Sequence, residues 1–185
     1  GELQWMTAGR GIVHSEMPLQ KEGLMKGFQL WVNLHSDEKM QPPRYKDIKA
    51  SDITFIEEGS TRIKLIAGNY KEYQGPIQGL TTELDYFDIS ISEDPFSFIG
   101  DREKNYFLYP FEGEIEVDDE TLSSRNGICF SGPIKITTRN QSRFLLIGGK
   151  PLFEPIFQYG PFVMNTKQEI LQAMEDFQSG SFGKQ

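Results

Sequence analysis

The 185-residue chain carries 27 acidic against 19 basic side chains, a formal net charge of -8, and 37% of its residues are hydrophobic. That length suits one domain or a little more with a true core, and the acidic balance repels phosphate backbones, so direct nucleic-acid binding is not expected. No apolar run reaches the ~20 residues of a spanning helix, no charged-then-apolar leader precedes the first motif, and the single cysteine, Cys129, precludes an intrachain disulfide; a soluble protein of a reducing compartment is the expectation.

In residues 12–17, Ile12, His14 and Glu16 alternate with Val13, Ser15 and Met17, which predicts a strand with imidazole and carboxylate side by side on one face. Such a pair supplies two of the donors with which proteins hold non-haem iron, although standing alone it is more often a solvated strand face. A polar loop at 19–23 leads to a second predicted strand, 28–34, where Phe28, Leu30, Val32 and Leu34 share one face and Gln29, Trp31 and Asn33 the other. Two readings of Gln29, Trp31 and Asn33 stay open: a structural face capped by loops, or a cavity wall beside a metal. His35, next to Ser36 and Asp37, is expected to be a solvated loop residue and not a ligand. The charged segment that follows, with Pro42-Pro43 denying the backbone a ladder donor, is expected to be a linker over 37–50.

From 53 to 147 short strands are predicted at 53–56, 62–67, 84–91, 105–111, 114–117, 134–138 and 143–147. Gly59-Ser60, Gly75-Pro76, Asp94-Pro95, Glu112-Gly113 and Gly132-Pro133 supply turns between them. With fourteen Phe, seven Tyr and eighteen Gly, this spacing argues an all-β sandwich or barrel. Cys129, in Gly127-Ile128-Cys129-Phe130, is expected to be a small buried residue of a strand. The stretch from 51 onward contains no histidine, since His14 and His35 are the only two, and Glu112, Glu114 and Glu116 alternate outward as a solvated face. Without nitrogen or sulfur donors this barrel is expected to be metal-free. Thr166-Lys167-Gln168-Glu169 has the form of a capping box, Ile170, Ala173, Met174 and Phe177 recur at helical spacing, and Gly180 follows, predicting one amphipathic helix near 166–178.

The run from Leu3 to Pro18, together with Gly27-Phe28-Gln29-Leu30-Trp31-Val32-Asn33-Leu34, resembles the pirin family of bicupin proteins. Further resemblance lies in Lys39-Met40 to Tyr45, in Ile66-Ala67-Gly68, and in Gly149-Lys150-Pro151-Leu152 through Glu154-Pro155-Ile156 to 159–166. The resemblance implies a cupin jelly roll: 1–36 as closing strands of a first, metal-type cupin domain, 51–150 as a second cupin domain, and 151–185 as a tail and helix. It also implies iron in the first domain, held by three His and one Glu, with His14 and Glu16 at the positions of the last two. The chain opens on Gly1 without the His-x-His segment that family members carry upstream, so two ligands and much of the first barrel are expected to be missing.

The activity implied is an iron-dependent dioxygenase of the quercetin 2,3-dioxygenase type, acting on a flavonol, with Glu16 also a candidate to accept the substrate's hydroxyl proton. With two ligands in place of four, this chain is expected to be inactive by itself, and Fe(II) would belong to the complete protein. The alternative is a non-enzymatic, iron-dependent regulator that binds transcription factors or metabolic enzymes, cytoplasmic, or nuclear in an animal. Uncovered strands at 12–17 and 28–34 and the helix stripe Ile170, Met174 and Phe177 predict self-association or a retained N-terminal fragment.

Overall fold

The computed structural model describes residues 2–15, 17, 22–118 and 120–183. Along the chain come β1 (Leu3–Thr7), the one-turn helix α1 (Ser36–Lys39), β2 (Arg44–Ile48), β3 (Thr54–Glu58), β4 (Thr61–Ala67), and the short pair β5 (Asn69–Tyr70) and β6 (Tyr73–Gln74). There follow β7 (Asp85–Ile91), β8 (Phe96–Ile99), β9 (Asn105–Glu112), β10 (Glu114–Val117), β11 (Glu120–Ser123), β12 (Ile128–Phe130), β13 (Pro133–Thr137) and β14 (Ser142–Gly149). A hairpin of β15 (Phe157–Tyr159) and β16 (Phe162–Met164) precedes the C-terminal helix α2 (Lys167–Ser179). Asp47–Pro151, with the chain's first residues through Leu3, form one compact unit; Gln4–Lys46 and the chain from Leu152 onward form another.

The first unit is an antiparallel two-sheet jelly roll, as the spacing of short strands predicts. One sheet has six strands in the order β12-β9-β14-β7-β4-β3, the other four in the order β11-β10-β13-β8. Their inner faces meet in a single core, because period-two geometry turns alternate residues to the same side. Ile63 and Leu65 of β4, Phe87, Ile89 and Ile91 of β7, Leu108 of β9 and Phe144 and Leu146 of β14 come from one sheet; Ile115 and Ile136 come from the other. All ten are buried to 0% exposure, and each such burial is worth about 1.5–3 kcal/mol. Tyr86 and Leu84 are buried as well, so β7 is covered on both faces.

Two local departures from regularity follow from sterics. Pro110 lacks a ladder donor, yet it is buried within β9; it lies opposite Phe144, where the register with β14 shifts, and beyond the three residues that β12 pairs. Gly148 lies opposite both Asp85 and Tyr106, and a Cβ built there would stand 2.2 Å from the Tyr106 ring. The phenol ring occupies the space that any larger residue would need.

Several expectations are corrected. The described residues of 12–17 and 28–34 form no strand: alternation fixes which side chains share a side, but a strand also needs a ladder with a neighbouring strand. The linker segment 37–50 carries most of α1 and all of β2, which pairs with β1. Cys129 is exposed, since Ile128 and Phe130 take the inward positions of β12 and Phe130 stacks on Tyr106 at 5.3 Å. Helix α2 is covered in part: Ile170 is buried, while Phe177 meets Phe162 and Phe182 edge-on at 6.3 and 5.9 Å and stays half exposed. Thr166 caps the helix, its Oγ1 accepting from the Glu169 amide at 3.2 Å, while Glu169 Oε2 reaches back to the Asn165 amide at 3.1 Å, one residue before the cap, and Gly180 closes the helix at φ 72°. Val13, Met17, Leu24 and Trp31 are largely exposed.

Replacing Gly148 with Ala should lower unfolding free energy by about 1–3 kcal/mol, the cost of forcing a methyl into a filled space. Urea unfolding of the variant beside the wild type measures it, and equal midpoints would show that the Tyr106 ring gives way freely.

Candidate functional site

After β1 the chain turns at Ala8–Gly11, where the Gly11 amide donates to the Ala8 carbonyl at 3.0 Å and the Arg10 amide to the Gln41 carbonyl at 2.9 Å. His14 lies just beyond, in an irregular stretch, with its side chain exposed. Glu16 lies outside the described residues, so the placement of the expected pair is not defined by the structure. Among the described residues no three His, Cys, Asp or Glu converge to hold a metal ion. One imidazole is too few to hold iron, and the described donors alone do not fit that role.

Gln29 and Trp31 are exposed, and Asn33 is engaged elsewhere: its Oδ1 accepts from Lys39 Nζ at 2.6 Å. Lys39 also donates to the Val163 carbonyl at 3.2 Å. This lysine is only 6% exposed, and burial pushes its ammonium below its ordinary value, partly offset by Glu154 and Glu169. None of Gln29, Trp31 and Asn33 lines either of two cavities, of about 240 and 340 Å³, that open in the complete barrel.

His35, expected to be a solvated loop residue, is instead part of a polar cluster. Its Nδ1 accepts from the Asp37 amide at 3.4 Å, capping α1, which leaves Nε2 to carry the proton and donate to Glu154 Oε1 at 3.0 Å. Ser36 adds two bonds to the same carboxylate, from its amide at 2.9 Å and its hydroxyl at 2.6 Å, and Asn165 Nδ2 a fourth at 3.0 Å. Asn165 is itself buried; its Nδ2 also donates to the Pro155 carbonyl, while its Oδ1 is buried without a partner among the described residues. Glu154 therefore joins the chain around 35–36 to the chain around 154–165. Donation from Ser36 above all, with Asn165 and the neighbouring His35 adding to it, holds its carboxyl below the usual glutamate range. No periodicity marks this cluster; the signals on hand were Glu154-Pro155-Ile156 and the His-Ser pair that ends the apolar run.

The family model described as the pirin C-terminal cupin domain matches residues 86–183, and the model described as pirin matches residues 1–32. A pirin-like protein of Caulobacter vibrioides is 39% identical over 191 residues, covering 98% of this chain and 68% of its own length. The chain belongs to the pirin family. Human pirin is 34% identical over 194 residues, covering 99% of this chain and 66% of its own length, and a tomato pirin-like protein is 41% identical with 65% of its length covered. The chain thus spans about two thirds of the length of the curated relatives it matches. Among solved structures, quercetin 2,3-dioxygenase from Acinetobacter baumannii superposes with a TM-score of 0.83 at 29% identity, over 99% of this chain and 67% of that one. The all-β cupin architecture is that of its pirin relatives. No helix among the described residues is long and apolar enough to cross a membrane.

In this pirin chain His14 falls inside the first matched segment, and Glu154 and Asn165 inside the second. A carboxyl whose folded value is depressed contributes stability that is complete above the ordinary glutamate value of about 4.3 and lost as pH falls through the lower folded value. The wild type should therefore exceed Glu154→Gln in stability at neutral pH, with the gap narrowing in acid. Denaturant unfolding of both proteins from neutral pH down to about pH 3 reads this, and a gap independent of pH would contradict it.

Proposed function

We propose that this pirin chain serves a metal-dependent dioxygenase of the quercetin 2,3-dioxygenase type, with a flavonol as substrate. The observation that carries the reading is the likeness over 99% of the chain to the Acinetobacter quercetin 2,3-dioxygenase, at a TM-score of 0.83 and 29% identity. In this proposal residues 1–36 belong to the metal-bearing cupin domain and 51–150 form a metal-free one. His14 and Glu16 are two protein ligands of an Fe(II) ion, and the remaining ligands come from residues other than those described here.

A neutral imidazole and a carboxylate suit Fe(II), whose chemistry when bound is to offer open coordination positions to a substrate oxygen and to dioxygen. The exposed imidazole of His14 is consistent with a group that completes its environment with partners beyond the described residues. Glu16 would help hold the ion with His14 and would be the candidate acceptor of the flavonol's hydroxyl proton. With His35 engaged by Glu154 and the Asp37 amide, His14 is the one imidazole of residues 1–36 outside that cluster, and in this proposal the chain by itself neither retains iron nor turns over a flavonol.

The test uses the complete protein. Iron content by elemental measurement and oxygen uptake with quercetin should both be positive for the wild type, and His14→Ala should lose the iron and fall to background uptake. Iron retained by the wild type without uptake would favour the non-enzymatic regulator, and iron at wild-type stoichiometry in His14→Ala would place the site elsewhere.

A further inference from the structure

The turn between β11 and β12 carries a reactive dipeptide that the dioxygenase reading leaves unused. Of the chain's six asparagines, Asn126 alone is followed by glycine; the others precede Leu34, Tyr70, Tyr106, Gln141 and Thr166. Asn126 and Gly127 are both exposed, in the irregular stretch between Ser123, the last residue of β11, and Ile128, the first of β12. The Asn126 amide donates to the Ser123 carbonyl at 3.2 Å, and the Arg125 amide to the Pro110 carbonyl at 3.1 Å. Asn126 Nδ2 also donates to Ser123 Oγ at 2.9 Å.

An Asn-Gly pair ordinarily marks a tight hairpin turn, because both residues accept a positive φ. That explanation fails here. The left-handed residue of this turn is Arg125, at φ 78°, and neither Asn126 nor Gly127 has a positive φ. Arginine carries a steric strain in that conformation that glycine escapes, so opening the turn relieves part of its own energy. Gly127 answers to packing instead: a Cβ built there would stand 2.4 Å from the Phe107 ring. Packing therefore keeps a glycine beside the asparagine whatever the pair does chemically.

We propose that Asn126 is a site of spontaneous covalent modification, which converts it to aspartate and isoaspartate, and that the isoaspartyl form loosens β12 from β9. In the first step the backbone nitrogen of Gly127, having given its proton to hydroxide, attacks Cγ of Asn126. The new N–C bond closes a cyclic imide, and the carboxamide nitrogen leaves as ammonia after taking a proton from water. Water then adds to one of the two imide carbonyls and breaks its bond to the Gly127 nitrogen. Opening at Cγ leaves aspartate; opening at the main-chain carbonyl leaves isoaspartate, with the backbone running through Cβ and Cγ. Neither step needs an oxidant, a metal or a second protein.

The surroundings single out this asparagine. Without a Cβ on the following residue nothing shields the attacking nitrogen, and exposure supplies the hydroxide and water. Asn69 and Asn105 lie in strands β5 and β9 and precede bulky tyrosines, and Asn165 is buried. The product stands two residues before β12, where Ile128, Cys129 and Phe130 pair with Leu108, Phe107 and Tyr106. An added main-chain carbon displaces the entry to that strand, and the new carboxylate adds to a chain already at -8. With three residues and a single neighbour in its sheet, β12 is the strand of the six with the least pairing to lose.

The test follows the chain over days in neutral and mildly alkaline buffer by proteolytic digestion and tandem mass spectrometry. The mass rise that comes from replacing NH2 by OH should appear at Asn126, faster in alkali, and at least about tenfold faster than at any other asparagine of the chain. Chromatography should separate aspartyl and isoaspartyl peptides, the latter accepting a methyl group from S-adenosylmethionine in the presence of an isoaspartyl methyltransferase. Gly127→Ala should slow the conversion by about tenfold or more, and Asn126→Gln should abolish it. Amide hydrogen exchange over 128–130 should quicken in the isolated isoaspartyl chain and stay unchanged in Asn126→Gln held equally long. Should Gly127→Ala fail to fold, the comparison among the wild type's own asparagines carries the test. An intact Asn126, conversion no faster than at the other asparagines, an equal rate in a folded Gly127→Ala, or aspartate without isoaspartate overturns the modification site; unchanged exchange over 128–130 overturns the loosening of β12.

Discussion

A buried backbone amide or carbonyl must find a partner, and β7 is the strand through which that requirement is met at the centre of the six-stranded sheet. It pairs over its length with β14 on one side and β4 on the other, and β14 carries the pairing on to β9. Because these central strands have neighbours on both edges, their side chains are free to be almost wholly apolar inward. Phe87, Ile89 and Ile91 then set the spacing to which Ile115 and Ile136 of the facing sheet are fitted. The aromatic residues extend this order: Phe98 contacts Phe87 and Tyr106 edge-on at 5.9 and 5.1 Å, which links the core to the barrel end where Asp85 and Lys104 lie.

The legible part of the fold is the part that closes on itself. Strands from 53 to 147 were readable because alternation, Gly and Pro turns and β-branched residues all agree there, and 114–117 matches β10 residue for residue. β8 and β11 escaped: Phe96 and Phe98 alternate over only four residues directly after the Asp94-Pro95 turn, and Glu120–Ser123 carries a single large apolar residue, Leu122. The segments 12–17 and 28–34 alternate as well as any barrel strand, yet form none among the described residues. Helix α2 was readable from its box and its terminal glycine, local signals that need no tertiary partner.

The sites were less legible for a related reason. His14 and Glu16 were singled out by local spacing and family pattern, whereas the Glu154 cluster draws His35 and Ser36 from one end of the chain and Asn165 from the other, a separation of 118 residues between Ser36 and Glu154. Nothing in local sequence announces such a meeting. The buried Asp85, whose carboxylate takes Lys104 Nζ at 2.8 Å and the Tyr106 hydroxyl at 3.1 Å, likewise draws on residues 19 and 21 positions away, and it reads as an ordinary strand-start residue until Gly68 and Gly148 are seen to clear space around it and its phenol partner.

The outward turn of Cys129 gives the barrel a practical property. With one thiol in the chain, exposed on the three-residue edge strand β12 and paired across to Phe107, a fluorophore or spin label can be attached at a single defined point without any substitution. Ile128 and Phe130, on either side, pack against the core, with Phe130 stacked on Tyr106, so the label's motion reports whether that edge stays zipped to β9. The probe is built into the polypeptide itself.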